Sequence, residues 1–500
     1  MKINISGIFK NKIIKGTFIL TFASFVSRIT GFLFRIFLTG KIGTEALGII
    51  QLIFPIQVIC GSICGFGFET AISKLTAQSK VHSAKEKNTY LINGIVISFI
   101  ISLMLSILTF NFSEILSSRY LLEPRCNVLI KILSLSIPLC GIHHCIYGYY
   151  LGHQNTKIPA ISQIIEQFAR IIFIYVLCCF AEAKGIKITP SFAIAGTVIG
   201  ELASTLYCLL KIKFTSINLR ISDISFKSTK TLLSISTPLS LNRLLASLLQ
   251  SFQNILIPNM LILYGLSSSQ SLSIYGILTG LVIPLVFFPG SIINSFSLMI
   301  LPTISEANSL KNNRKINIAT NKILELCFIF GIFCSAIFFN YGKQIGILLF
   351  DNPEAGNYIS LLGFVCPFIY ISSTLSSVIN GLGHTTITFI INIITSLIQI
   401  FLIVTVIPKY GVYGFIDAFI IGNMINSLIL FFYMRSKITV SYSSIYTLTY
   451  GVVLSFILTN VISFGLRFID SQLIRVMLHF VIFTILYCMM FRKRIERLIR

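Results

Sequence analysis

About fourteen runs of roughly 20 or more largely apolar residues follow one another along the chain, and a run that long reads as a membrane-spanning helix. They lie at approximately 14–39, 46–73, 89–110, 129–150, 157–179, 190–211, 231–263, 272–301, 319–340, 357–380, 385–407, 411–434, 443–465 and 472–491. With 55% hydrophobic and 11% charged residues and a mean hydropathy of +0.88, the composition lies far from that of a soluble globular protein. The expected fold is all-α: a polytopic membrane protein with about fourteen transmembrane helices. No extramembrane segment is long enough to form a domain. The longest connectors, around 212–230 and 341–356, leave no room for a soluble catalytic domain, so an enzyme is not expected. The piece at 343–350 is short and amphipathic and reads as an interfacial helix.

The first run, Thr17 to Thr39, carries the sharpest constraint. Its polar and small residues Thr17, Thr21, Ser24, Arg28, Gly31 and Arg35 recur at steps of three and four and so share one helical stripe. Arg28 and Arg35 are two turns apart, roughly 10 Å along that face. An arginine at mid-membrane costs on the order of 3 kcal/mol, so this stripe is expected to face a wet cavity or an anionic partner.

The chain holds 39 Lys and Arg against 16 Asp and Glu, a net charge of +23. The distribution of this charge marks topology rather than a nucleic-acid site. An even number of spans puts both ends on one side, and the loops of that side carry Lys2, Lys10, Lys12, Lys74, Lys80, Lys85, Lys87, Lys213, Arg220, Lys227 and Lys230, with the tail Arg492 to Arg500. By the positive-inside rule that side is the cytoplasm. The twelve cysteines form no paired CxxC modules and read as small apolar residues. Adjacent His143 and His144 point in different directions on a helix and no second cluster completes a site, so no metal is expected.

A weak repeat relates the halves. Ser27-Arg28-Ile-Thr-Gly31 in the first run has a counterpart in Asn242-Arg243 of the seventh, and Gly48 to Pro55 resembles Gly276 to Pro284. Both halves place an arginine about 12 to 14 residues into their first helix, roughly 20 Å deep. Repeats around a central site are a transporter signature. The expected organisation is an N-lobe at 1–211, a cytoplasmic connector at 212–230, a C-lobe at 231–434, and two further helices with a basic tail at 435–500.

Arg28, Arg35 and Arg243 are the candidate substrate-binding residues, because guanidinium forks hold their charge and suit phosphate or pyrophosphate. Glu166 and Arg170 are four residues apart with the acid first, the order that favours a helical ion pair. Glu201, mid-span, either pairs with an arginine or carries a proton; Glu166, Arg170 and Glu201 are the candidate gating or ion-pair set. Glu69 reads as a carboxylate snorkelling toward water.

Ser27-Arg28-Ile-Thr-Gly31-Phe-Leu-Phe-Arg35, the Gly276 to Pro289 segment, Leu301-Pro302-Thr-Ile-Ser-Glu306-Ala and Asn380-Gly-Leu-Gly383-His together resemble the stage V sporulation protein B group of firmicute bacteria. That group sits in a superfamily with the MurJ-type lipid II flippases, the oligosaccharide-lipid flippases and the MATE drug exporters. The resemblance implies two six-helix lobes around a central cavity, with two extra helices in the MurJ-like branch. It also implies that first-helix arginines line the cavity, which carries onto Arg28 and Arg35. The chain departs from the MurJ-type pattern in the wider spacing of this pair and in having no obvious second-helix arginine.

The expected function is export of an anionic polyprenyl-pyrophosphate-linked glycan, a lipid II-like peptidoglycan precursor for spore cortex or cell wall, by alternating access in the plasma membrane. No cofactor is expected; coupling would draw on Na+, H+ or the membrane potential, and cell-wall synthesis enzymes are candidate partners beside the lipid bilayer. Three other readings are a flippase for another lipid-linked glycan, a MATE-like drug/cation antiporter and a non-transporting scaffold. An antiporter for cationic drugs should offer unpaired carboxylates, and a scaffold should tolerate loss of its arginines.

Overall fold

The computed structural model describes residues 12–78, 84–214, 225–439, 442–466, 468 and 472–499. Lys2, Lys10, Lys80, Arg220 and Arg500 of the expected basic loops lie outside them. The described residues are helical nearly throughout and contain no strand. The principal helices are α1 (Lys12–Ile42), α2 (Thr44–Ala77), α3 (Ala84–Asn111), α4 (Cys126–Ser134), α5 (Ile137–Gly152), α6 (Lys157–Ala183), α7 (Pro190–Phe214) and α8 (Phe226–Leu263). They continue with α9 (Ser268–Phe287), α10 (Gly290–Ser309), α11 (Asn313–Phe350), α12 (Pro353–Gly381), α13 (Thr385–Arg435), α14 (Tyr442–Gly465) and α15 (Gln472–Ile499).

Among the described residues eleven helices are long and apolar enough to cross a membrane, or twelve when the pair α4 and α5, bent by 44°, counts as one span. The chain is thus a multi-pass helical membrane protein; a count by length and composition alone does not confirm the fourteen spans expected. α13 covers two of the expected spans, 385–407 and 411–434, as two helices that meet at a kink at Gly411 (φ 60, ψ −132), and α14 covers the expected span at 443–465. The expected interfacial helix at 343–350 is instead the end of α11, which continues unbroken to a left-handed Asp351. Nothing in Lys343 to Phe350 stops a helix, and Gly342 and Gly346 pack closely on Ser360 and Gly356 of α12.

The described residues divide into two compact units, one lying within 12–259 with 267–276 and the other being 260–266 with those from 277 onward. In the first unit the helices approach through glycines, as expected where backbones pack without a hydrophobic driving force. Gly148 and Gly152 of α5 lie on the backbone of Glu69 and Ser73 in α2, and Gly141 lies on Ser98 and Ser102 of α3. Gly67 of α2 meets Ser236 and Ser240 of α8, while Ser62 and Ser247 of the same two helices bond at 2.8 Å. At the other end of α2, Gly48 abuts the Leu272 carbonyl of α9 and Gly276 abuts that of Thr44. There Thr44 bonds Ser273 at 2.6 Å, and Glu45 accepts from Ser269 and Arg125, both at 2.7 Å. Glu123 holds Arg125 from the other side through Nε at 2.7 Å and Nη2 at 3.1 Å.

In the second unit α14 and α15 pack on α11. Phe483, Tyr487 and Phe491 form a ladder of fully buried rings against Phe333 and Tyr450. Tyr487 donates to the Ile329 carbonyl at 2.9 Å, and Tyr341 bonds His479. Such rings add roughly 0.5–1.5 kcal/mol per pair beyond area burial.

The glycine contacts yield a test. Gly48→Ala and Gly148→Ala are expected to destabilise the detergent-solubilised protein by about 1–3 kcal/mol each, because a methyl group would overlap backbone. Gly40→Ala, with nothing within 4 Å, should leave the thermal midpoint unchanged or raise it. Thermal unfolding of the three variants checks this.

Candidate functional site

All of the sequence-derived site residues fall in the first unit. The polar stripe of α1 lies along α6. Ser24 donates to Gln163 Oε1 at 3.1 Å, and a Cβ on Gly31 would sit 2.9 Å from Gln167 Nε2. Half-buried Arg35 then lies within electrostatic reach of Arg170. Positions 24, 31 and 35 on one helix thus meet 163, 167 and 170 on the other, a polar seam between two otherwise apolar helices. The apolar side of α1 faces outward, with Phe18, Phe22 and Leu33 all exposed. Arg28 of the same stripe and Arg243 of α8 are exposed.

Glu166 and Arg170 form the expected pair, Nη2 to Oε1 at 2.5 Å, with each side chain about one-quarter to one-fifth exposed at 24% and 22%. Gly200 of α7 lies against the Glu166 carbonyl, and this close approach brings the neighbouring Glu201 to the same place. The partner of Glu201 is not an arginine. His143 of α5 meets it, Nδ1 to Oε1 at 3.0 Å, and the opposite ring nitrogen lies 2.9 Å from Ser162 Oγ of α6. Ser162 also accepts from the Cys208 thiol at 3.3 Å. His143, Glu201 and Ser162 are all buried.

The neighbouring His144 turns away to Glu69 Oε2 of α2 at 2.8 Å, so the two histidines do serve different partners, with their rings stacked at 5.9 Å. Glu69 is therefore not a carboxylate snorkelling alone into water: Gly65 leaves room for the His144 ring beside it.

Sequence reasoning missed both histidine pairs, which join residues 58 and 75 positions apart. One signal was available. Thr197, Glu201, Ser204, Thr205 and Cys208 recur at helical spacing along α7 and are all buried, marking a face that needs polar partners.

One imidazole nitrogen and two carboxylate oxygens from His143, Glu166 and Glu201 lie within 4.8 Å of one another, the reach of a metal-binding set. Both nitrogens of His143 are already engaged and Arg170 already neutralises Glu166. An added cation would have to displace these partners. The arrangement is instead a near-neutral cluster of two acids, one arginine and one titratable imidazole, the form in which charge is tolerated at depth.

Removing one member should cost more than removing a pair. Glu201→Ala alone is expected to destabilise by about 3–5 kcal/mol, whereas the double variant His143→Leu with Glu201→Leu should recover much of that loss. A double-mutant cycle on thermal or denaturant unfolding measures the difference.

Comparison with known proteins agrees with this architecture. Residues 13–308 match the family described as polysaccharide biosynthesis protein, and residues 243–405 match the MatE family. Stage V sporulation protein B of Bacillus subtilis (strain 168) is 26% identical over 431 residues, covering 84% of this chain and 83% of that protein. The lipid II flippase MurJ of the same strain is 24% identical over 375 residues, 69% of this chain and 65% of that one. A solved structure of lipid II flippase MurJ in an inward closed conformation superposes with a TM-score of 0.74 at 21% identity, covering 95% of this chain and 99% of that chain. The fold is thus that of the MurJ and MATE transporters, and its relatives are flippases and transporters rather than enzymes. With more than half of its length matched, the chain belongs to the polysaccharide biosynthesis protein family.

Proposed function

We propose that the chain is an alternating-access flippase for an anionic polyprenyl-pyrophosphate-linked glycan, a lipid II-like peptidoglycan precursor of cell wall or spore cortex. One observation carries this reading. Glu69, Glu166 and Glu201 of the first unit are each committed, to His144, Arg170 and His143, while Arg28 stands exposed on the polar stripe of α1. What the unit offers a ligand is guanidinium, which selects an anion with a planar bidentate match to phosphate oxygens. A cationic drug would find no uncommitted carboxylate among these residues. The relationship to stage V sporulation protein B and to MurJ supports a lipid-linked substrate in the same direction.

In this reading Arg28, Arg35 and Arg243 hold the pyrophosphate while the polyprenyl tail stays in lipid. The protein sits in the plasma membrane with both termini in the cytoplasm, as its basic loops favour, and hands its cargo to cell-wall synthesis enzymes outside. Return of the positively charged empty site would be aided by a negative-inside potential, worth about 2.3 kcal/mol per charge per 100 mV. The buried His143–Glu201 pair, an imidazole bonded to a carboxylate between α5 and α7, is the residue set assigned to a coupling proton in this reading.

Translocation of lipid II in proteoliposomes tests the substrate and the site. Arg28→Ala and Arg243→Ala, at matched levels of folded protein, are each expected to slow translocation by about tenfold or more, the loss of one charge-assisted contact. Unchanged rates in both would favour the scaffold reading, and exchange of a cationic drug for Na+ or H+ would favour the antiporter. Collapsing the proton gradient while clamping the potential should slow transport if His143 and Glu201 carry the proton. An unaffected rate would leave the potential as the driver.

A further inference from the structure

Arg170 is under-used by its ion pair. A guanidinium carries five N–H donors. Here Nη2 meets Glu166 at 2.5 Å, while Nε is buried and has no hydrogen-bond partner. A buried donor left unpaired costs about 1–3 kcal/mol, and more on a charged group. Arg35 adds to the tension by placing a second positive charge within electrostatic reach across the α1–α6 seam. Two guanidiniums near one another, one of them with a buried unpaired N–H, are relieved together by a doubly charged oxyanion, which accepts from several donors at once. The rest of the seam is polar but uncharged, with Ser24 on Gln163 and Gly31 under Gln167. It would allow such an ion to approach without displacing another carboxylate.

We propose that Arg170 is a further phosphate-binding residue and that Glu166 is its internal stand-in, exchanged for a phosphate or pyrophosphate when the ligand arrives. The inference rests on the anionic-substrate reading above. In the empty protein Glu166 occupies one end of the Arg170 fork. The incoming anion takes Nε and Nη2 together, with Arg35 on its other side, and Glu166 is released toward His143. The released carboxylate stays among Glu201 of α7 and Cys140, His143, His144 and Tyr147 of α5, the titratable groups that interact with it besides Arg170. His143 is close enough to be shared between the two acids. No bond is made or broken in this exchange; it swaps one oxyanion for another on the same donor.

The test uses the full chain in lipid nanodiscs, with inorganic pyrophosphate and farnesyl pyrophosphate as probes and affinity read by calorimetry. Glu166→Gln removes the competitor but keeps the shape, and is expected to tighten binding by about tenfold, the scale of one charge-assisted contact. The double variant Glu166→Gln with Arg170→Gln leaves no unpaired charge and so should fold. Its affinity is expected to fall at least about tenfold below that of Glu166→Gln. Arg170→Lys keeps the charge without the fork and should bind between the two. Tighter binding of farnesyl pyrophosphate would assign the anion to a lipid headgroup, and equal affinity would assign it to the phosphates alone; both support the exchange. Binding that depends on Arg28 but is the same in wild type, Glu166→Gln and the double variant would overturn the role of Arg170 while leaving the anionic-substrate reading in place. Absence of binding of either probe by any variant would overturn both.

Discussion

A charge taken into hydrocarbon must bring its partner with it, and the first unit is built around that requirement. Desolvating an isolated ion costs several kcal/mol even after relaxation, and only a close, well-bonded counter-charge offsets it. The unit meets the requirement three times over a short stretch, with Glu69 on His144, Glu166 on Arg170 and Glu201 on His143. Each pair needs two helix backbones, or two turns of one helix, at a fixed separation. The glycine contacts then follow as a consequence: Gly148 and Gly152 let α5 lie on α2, Gly65 makes room for the His144 ring, and Gly200 brings α7 onto the Glu166 carbonyl. Small residues and ionisable residues in these helices belong to one design. The first set the distances that the second require.

How much of this was legible in the sequence depended on how far apart the cooperating residues lie. The stripe of α1 could be read because a single helix repeats every 3.6 residues, so Ser24, Arg28, Gly31 and Arg35 announce a common face without any tertiary information. Glu166 and Arg170 could be read for the same reason. The face of α6 that receives the stripe, Gln163, Gln167 and Arg170, follows the same period, yet nothing local says that these two faces meet. His143 and Glu201 were beyond reach in a stronger sense. A histidine beside glycines in an apolar run and a lone glutamate 58 residues later gain meaning only once the α5–α7 packing is known.

Backbone geometry decides where one apolar run ends and the next begins. Gly411, with φ 60 and ψ −132, breaks the helical path of α13, so its two apolar runs are two helices that meet at a kink. In α11 the reverse occurred. Lys343 and Gln344 suggested a surface segment, but a helix already formed and packed through Gly342 and Gly346 has no reason to end until the left-handed Asp351. The all-α class and the division into many spans rest on hydrophobicity alone and were secure. Element ends rest on single residues and were not.

The adjacency of His143 and His144 has a mechanical meaning. Successive residues on a helix point about 100° apart, and here one is tied to α7 and the other to α2, while the glycine face of α5 is pressed onto α2 and α3. Two tethers at different azimuths fix the rotational setting of a rod more strongly than either could alone. If α5 rolled about its own axis, both bonds would strain together. α2, α5 and α7 should therefore move as a single lever, transmitting tilt but not twist.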